Sequence, residues 1–218
     1  MALYLISMLT KSGDANVIAQ VIMNNLLHQT LQMLLAGGDE LLMDALVTWS
    51  ADASVVDQFS TQQRLIPLLK STVVKYAQTP HAGKTLQVLA NTIHHGKIDY
   101  VLDGQVAGYI LQAIDTVVEE GVDSDTDAKS VARVYRHLID GQGSRAIVQL
   151  HSERMFQVSV PLLKNAERLK QFGQLPVNDV LGGCLRLITM LPDNQKLQLT
   201  SLIEQTKLQE FIVQSRRQ

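Results

Sequence analysis

Residues 64–106 read RLIPLLKSTVVKYAQTPHAGKTLQVLANTIHHGKIDYVLDGQV and hold the clearest structural pattern in the chain. Apolar residues spaced as on one helical face precede a break at Thr79-Pro80, and a second apolar stripe then runs to Gly96. A third, shorter segment covers residues 98–106. Because proline and glycine commonly mark helix ends, the stretch predicts three consecutive helices.

Similar patterns lie on both sides of this stretch. Residues 31–35 (LQMLL), a Gly-Gly-Asp break and residues 40–50 (ELLMDALVTWS) precede it, and residues 109–118 (YILQAIDTVV), an acidic break and residues 128–139 follow it. Units of about 40 to 47 residues, each made of two or three helices, are typical of α-solenoids. Corresponding apolar positions recur at steps of 45, 49 and 49 residues from Leu69 onward, whereas the two earlier steps, 26 and 34 residues, are shorter.

Residues 3–27, LYLISMLTKSGDANVIAQVIMNNLL, contain a leucine-rich helix, a Ser-Gly-Asp break and a longer helix ending in Asn-Leu. This pattern resembles the second and third helices of an armadillo repeat, and the resemblance extends over nearly the whole chain. It implies an all-α fold, a right-handed α-solenoid of about four to five armadillo-like repeats, with residues 1–218 forming one domain. HEAT-like stacking of two-helix units is the alternative for the same segments.

Local signals make the helix boundaries more specific. The apolar residues between Ala15 and Leu27 have the spacing of one continuous helical stripe. Asp52 is expected to cap a short helix through Phe59, and an Asp or Ser of the acidic break in residues 119–127 to cap the next long helix. Pro161 lies inside a helical pattern, where proline costs about 3 kcal/mol, and predicts a kink or restart near Ser159.

Composition narrows the class of protein. Hydrophobic residues make up 46% of the chain but aromatic residues only 5%, which favours packed helices over a β-sandwich. The formal charge of −2 does not favour binding to nucleic acid or to anionic lipid. Residues 111–127 carry six acids and no base, whereas the remainder of the chain toward the C-terminus has an excess of bases. This alternation of charge along the chain would either fix the position of a bound partner protein along the solenoid or simply reflect solvated helix faces.

The chain contains a single cysteine and no apolar stretch of the length that a membrane span needs. Residues 1–9 are apolar, but they lack the basic leader and the cleavage site of a signal peptide. These features predict a cytoplasmic or nuclear protein that does not enter a membrane.

No catalytic constellation stands out. Gly83-Lys84-Thr85 resembles the end of a P-loop, but Gln78 occupies the position of the first glycine. Asp123, Asp125 and Asp127 alternate as in a calcium loop, which then lacks its glycine and its bidentate glutamate. Cys184 follows two glycines in an apolar helix and is expected to be a buried thiol under close helix packing. We therefore expect neither enzymatic activity nor a metal ion or cofactor.

The resemblance implies that the third helix of each repeat lines a concave groove whose asparagines bind the backbone of an extended peptide. Carboxamides suit this task because they donate and accept hydrogen bonds at once. The corresponding positions here are Asn25, Thr48 or Trp49, Asn91, Arg136 or His137, and Thr189. The predicted partner-binding residues are Asn25, Trp49, Asn91, Arg136, His137 and Thr189. Trp49 would be a binding anchor if exposed in the groove, and a core residue otherwise. The prediction is a non-catalytic scaffold or adaptor that binds a peptide or helix of a partner protein.

The alternative function is structural. The chain begins and ends with helices that correspond to the second helix of an armadillo repeat. Terminal units of a solenoid expose an apolar face unless it is capped. Either the chain is a fragment of a longer solenoid, or its ends pack on a partner or on a second copy. In the second case Leu3, Leu5, Phe211 and Ile212 would be buried between chains.

Overall fold

The computed structural model describes residues 15–38, 40–96, 103–122, 124–141, 144–208 and 210. These residues form helices joined by short turns and contain no strand, which confirms the all-α prediction. The helices are α1 (Ala15–Met23), α2 (Leu26–Leu35), α3 (Glu40–Ser50), α4 (Ala53–Thr61), α5 (Leu65–Tyr76), α6 (Ala82–His94), α7 (Gly104–Glu120), α8 (Asp125–Asp140), α9 (Ser144–Lys164), α10 (Ala166–Gln171), α11 (Gln174–Ile188) and α12 (Asp193–Thr206).

Side-chain caps begin several helices where the sequence predicts them. The Asp52 carboxylate accepts a hydrogen bond from the Ser54 backbone N–H at 2.8 Å, at the start of α4. The Ser124 hydroxyl accepts from the Asp127 N–H at 3.0 Å and begins α8 directly after the acidic break. Such caps stabilise a helix by about 0.5–2 kcal/mol, since they satisfy N–H groups that have no partner within the helix.

The N-terminal helical stripe is divided in two, so the prediction of one continuous helix through Leu27 is wrong. Asn25 adopts a left-handed conformation with φ 54°, and α2 begins at the next residue. Asparagine tolerates this region better than other residues that carry a side chain. A periodic stripe does not reveal such a turn, because the apolar spacing continues across it.

Of the two outcomes predicted near Ser159, the restart of a new helix is wrong. The helix continues through Pro161, and its one non-helical residue is His151, with φ −122° and ψ 22°. The His151 ring Nε2 hydrogen-bonds the Gly104 carbonyl, and the ring lies against Gly108, so the irregular residue sits at a contact with α7. Pro161 has no N–H group to donate to the Gln157 carbonyl. Gln157 is on the exposed side of α9, where water can donate to this carbonyl instead.

The helices contact one another in two successions. In one, which we call the α2 series, α2 packs on α5, α5 on α7, α7 on α9 and α9 on α12. In the other, the α3 series, α3 packs on α6, α6 on α8 and α8 on α11. Contacts join like ends within the α3 series: Lys84 reaches Glu40 near the starts of α6 and α3, and the His95 ring hydrogen-bonds the Ala51 carbonyl just past their ends. The order is the same for the next pairs, since Gly83 faces Asp127 at the starts of α6 and α8, and Arg136 and Asp140 of α8 meet Gly182 and Arg186 of α11 in sequence. Neighbouring helices of the α3 series therefore run parallel.

A continuous apolar core, composed mainly of Leu, Val, Ile and Ala, connects the helices. A small polar cluster lies inside it, where the Tyr135 hydroxyl is 2.5 Å from Ser159 Oγ and 3.3 Å from Cys184 Sγ. The cluster joins α8, α9 and α11. Cys184 is fully buried, as predicted, and burial raises the pKa of its thiol to about 11. Such a thiol stays protonated at neutral pH and serves packing.

Some predictions fall outside the residues that the structure describes. They concern the four terminal residues proposed for self-association, Leu3, Leu5, Phe211 and Ile212.

Candidate functional site

The structure separates the six predicted partner-binding residues. Trp49 has 0% of its surface exposed and is the largest fully buried side chain of the described residues, so of its two alternatives the core position holds and the exposed binding anchor does not. Asn25 is exposed, but it lies in the turn before α2 and accepts a hydrogen bond from Arg64. Asn25 therefore does not lie in the last turns of a helix that corresponds to the third helix of an armadillo repeat. Thr189 is exposed directly after α11, where its hydroxyl donates to the Arg186 carbonyl.

Asn91 lies on α6 and is half-buried between two helices. Its Nδ2 is 3.0 Å from Ser50 Oγ and 3.4 Å from the Val47 carbonyl oxygen, both on α3. The carboxamide therefore joins two neighbouring helices of the α3 series. In the absence of a partner its donor hydrogens are used within the chain.

Arg136 and His137, the two remaining predicted residues, line an open cavity of about 350 Å³ on the α3 series. Side chains from α6, α8 and α11 form it, mostly near the ends of α6 and α8. The lining residues are Ile93, His94, Arg133, Arg136, His137, Asp140, Gly141, Leu175 and Asp179.

A glycine on α11 places the Arg136 side chain. A Cβ atom added at Gly182 would lie 1.7 Å from Arg136 Nη1, so the guanidinium occupies the space that any other residue at 182 would fill. Gly183 has the same relation to the core, because a Cβ atom there would lie 2.6 Å from the Tyr135 ring. The two adjacent glycines therefore let α8 approach α11 closely on a polar and on an apolar side.

Asp140 connects α8 with α11 through two arginines. Its Oδ2 is 2.5 Å from Arg136 Nη2 on the same helix, and its Oδ1 is 3.6 Å from Arg186 Nε on α11. These side chains are partly exposed, where single ion pairs contribute about 0–1 kcal/mol. Their main effect is to orient two guanidinium groups at the edge of the cavity.

Arg133, one turn earlier on α8, has no such pair. Its Nη1 donates to the Ala90 carbonyl at 3.5 Å, and it forms no ion pair with a carboxylate of the described residues. Asp179 lies on the α11 side of the cavity, where burial raises the pKa of its carboxyl group while the charges of Arg133 and Arg136 act to lower it. The cavity thus combines one arginine, Arg133, that has no close ion pair with a half-buried carboxylate that is only partly compensated.

The sequence interpretation did not single out Arg133, Asp179 or Gly182. Arg133 and Arg136 are three residues apart and Asp140 follows four residues later, a spacing that places all three on one face of a helix. That spacing was a usable signal for α8. No local signal connects it to Gly182 and Asp179, because they lie on another helix more than 40 residues further along the chain.

Neither a metal site nor a membrane segment is found in the described part of the chain. No group of three or more His, Cys, Asp or Glu side chains there could hold a metal ion. None of the helices in the described ranges is both long and apolar enough to cross a membrane. Comparisons with models of protein families, with curated proteins and with solved structures found no significant match to this chain.

Proposed function

We propose that this chain is a non-catalytic, armadillo-like α-solenoid that acts as a scaffold or adaptor by binding a peptide or helix of a partner protein. The observation that carries the proposal is the cavity on the α3 series, where Arg133, Arg136 and His137 face an open space with apolar side chains beside them. Binding sites of this kind combine apolar contact area with a few placed polar groups. The proposed setting is the cytosol or the nucleus.

The spacing of the tertiary contacts supports the solenoid part of the proposal. Hydrogen bonds between side chains and neighbouring helices recur at sequence separations close to the expected repeat length. Four of them are Tyr76 to Leu34 (42 residues), Lys84 to Glu40 (44), Arg133 to Ala90 (43) and Gln195 to Glu153 (42). In a repeat protein each unit contacts mainly the next one, so contacts at one fixed separation are expected.

The parallel stacking of α3, α6, α8 and α11 supports the location of the binding surface. Stacked helices of this kind offer one continuous face along which an extended segment can contact several repeats. The cavity between α6, α8 and α11 lies on this face and contains two of the predicted binding residues. Among the six predicted positions, Arg136 and His137 are therefore the ones that the proposal retains as direct contacts.

The proposal can be tested with peptides selected on the wild-type protein from a phage-displayed random library. Selected peptides should bind an Arg136→Ala/His137→Ala variant about 10-fold more weakly or worse, a loss of about 1.4 kcal/mol or more. Lys129→Ala is a matched control, because Lys129 forms a similar pair with Asp125 four residues away on the same helix but outside the cavity. Failure to select any peptide, or equal binding to all three proteins, would contradict the proposal.

A specific observation also favours the structural alternative. The last described helix, α12, forms an open apolar groove of about 480 Å³ with α9, lined by Phe156, Val160, Leu197 and Leu202 among others. Leu197 is 73% exposed. A second copy of the chain bound on this groove would remove its apolar side chains from water. Light scattering should then detect a dimer of the wild type at high micromolar concentration and a monomer for Leu197→Lys, and a wild-type monomer would exclude this alternative.

A further inference from the structure

The charges in and around the cavity on the α3 series do not balance. Two arginines and two aspartates line it, Arg133, Arg136, Asp140 and Asp179, and Arg186, which is not a lining residue, contacts Asp140 from outside. Asp140 already serves both Arg136 and Arg186. The lining alone is balanced, but with Arg186 included three guanidinium groups against two carboxylates leave one excess positive charge before any contribution from the histidines.

Arg133 is the guanidinium group that has no close carboxylate partner and can pair with an additional anion. A guanidinium carries five N–H donors, and the contacts found for Arg133 are one long hydrogen bond to the Ala90 carbonyl and the longer-range attraction of Asp179. Its side chain is half-buried, so the group is already partly ordered and partly removed from water. A planar guanidinium of this kind pairs best with a carboxylate, which accepts two parallel hydrogen bonds.

The charge excess favours a monoanion over a dianion. One additional carboxylate would neutralise the three guanidinium groups, whereas a phosphate carries about −1.5 to −2 charges at pH 7 and would leave the half-buried Asp179 next to a surplus of negative charge. Asp179 itself would repel an incoming anion, so it limits affinity.

Aliphatic surface lies beside these charged groups. Ile93 from α6 and Leu175 from α11 both line the cavity, and Leu175 is 45% exposed. An aliphatic side chain next to the acidic residue of a ligand would cover this surface and remove apolar area from water, which favours binding.

We infer that the cavity binds an acidic peptide segment, in which the carboxylate of an Asp or Glu side chain pairs with Arg133 and an adjacent aliphatic residue contacts Ile93 and Leu175. The inference rests on the proposed function and adds the chemistry of the partner. It makes Arg133, which the sequence did not single out, the main specificity-determining residue, and it makes Asp179 an internal competitor of the ligand.

A peptide array tests this inference directly. Each sequence carries a central leucine followed by a variable residue and is made in four versions that differ only there: Glu, Gln, Lys or phosphoserine. The best pairs are then titrated in solution by fluorescence anisotropy with wild type, Arg133→Gln, Arg133→Lys, Asp179→Asn and the control Lys129→Gln. Circular dichroism and the fluorescence of the buried Trp49 verify that each variant is folded.

The expected result is a preference of the wild type for Glu over Gln peptides of about 10-fold, which corresponds to about 1.4 kcal/mol. Arg133→Gln should abolish this preference, Arg133→Lys should keep part of it, Lys129→Gln should leave it unchanged and Asp179→Asn should increase it. Equal binding of Glu and Gln versions, or stronger binding of Lys or phosphoserine versions, would overturn the inference and leave the proposed function intact. If the array yields no binder although the random library does, the inference fails alone; if the library also fails, the proposed function fails with it.

Discussion

Two junctions of the α3 series have the same parallel packing but differ in how far their polar side chains are paired within the chain. Where α3 meets α6, Lys84 Nζ lies 2.8 Å from Glu40 Oε1 and 2.6 Å from Asp44 Oδ1, and these contacts raise the pKa of Lys84 against the opposing effect of burial. In the same junction the Asn91 carboxamide donates hydrogen bonds to the Val47 carbonyl and to Ser50 Oγ. The cations and donors that line this junction are therefore satisfied within the chain.

Where α6, α8 and α11 meet, the same parallel packing leaves a cavity and an arginine, Arg133, that forms no close ion pair with the described carboxylates. The difference follows from a few side chains, because the helix directions are the same in both places. The first junction has a carboxylate on each of two turns of α3 opposite one lysine, whereas the second has three guanidinium groups and two carboxylates. We infer that the first junction contributes to stability and the second to recognition.

The largest expected effect concerns the core of the first junction. Trp49→Ala removes a fully buried indole and should lower the free energy of unfolding by about 3–5 kcal/mol, because the cavity left behind is only partly filled by relaxation. Urea denaturation followed by circular dichroism measures it, with Trp49→Phe as a milder control. A loss of less than about 1 kcal/mol together with weaker peptide binding would return Trp49 to the list of binding residues.

The next effect separates the two glycines of α11. Gly183→Ala would press a Cβ atom against the Tyr135 ring in the core, whereas the Cβ atom of Gly182→Ala would meet the mobile end of Arg136. Both variants gain helix propensity, so we expect Gly183→Ala to be less stable than Gly182→Ala by about 1–3 kcal/mol.

Peptide binding should show the opposite order. Gly182→Ala displaces the Arg136 guanidinium and should weaken the binding of selected peptides, whereas Gly183→Ala, when folded, should bind like the wild type. Thermal denaturation and anisotropy titrations on both variants measure the two orders. Equal stabilities would show that the close approach of α8 and α11 is not set by Gly183.

A smaller effect is expected at the charged surface of the first junction. Lys84→Met removes two partly exposed ion pairs and should lower the free energy of unfolding by about 1 kcal/mol or less. The difference from wild type should shrink in high salt, because salt screens exposed charges. Peptide binding should not change. Weaker binding by Lys84→Met would extend the recognition surface to α3 and blur the distinction between the two junctions.

The smallest effect concerns the pH dependence of stability at the second junction. Because burial is the main influence on Asp179 and raises its pKa above the ordinary 3.8, its contribution to stability is complete below that value and is lost as the pH rises through the folded-state pKa. Asp179→Asn removes this loss. The variant should therefore be slightly more stable than wild type at pH 7, and the advantage should shrink as the pH is lowered to about 3 and below.

Denaturation midpoints across this pH range measure the difference, and Asp193→Asn on the exposed first turn of α12 is a control. An Asp179→Asn variant that is less stable than wild type at pH 7 would mean that Arg133 and Arg136 outweigh the burial of the carboxylate.

The sequence alone determined the all-α class and many helix boundaries. The break at Thr79-Pro80 and the caps at Asp52 and Ser124 all depend on groups within a few residues of one another. Such signals can be read locally, because a cap or a proline acts on the nearest backbone N–H groups. The burial of Cys184 followed in the same way from its apolar helix and the two glycines before it.

The candidate site could be predicted only in part. Arg136 and His137 line the cavity as part of the predicted set, but Trp49 is in the core and Asn91 joins two helices. The three residues that give the cavity its character, Arg133, Asp179 and Gly182, did not stand out. Only the tertiary structure brought them together, because each lies opposite a helix that follows more than 40 residues away or comes that far before it. Periodicity shows that a helix has an apolar face, but the packing of distant helices decides which of its other side chains remain open to a ligand.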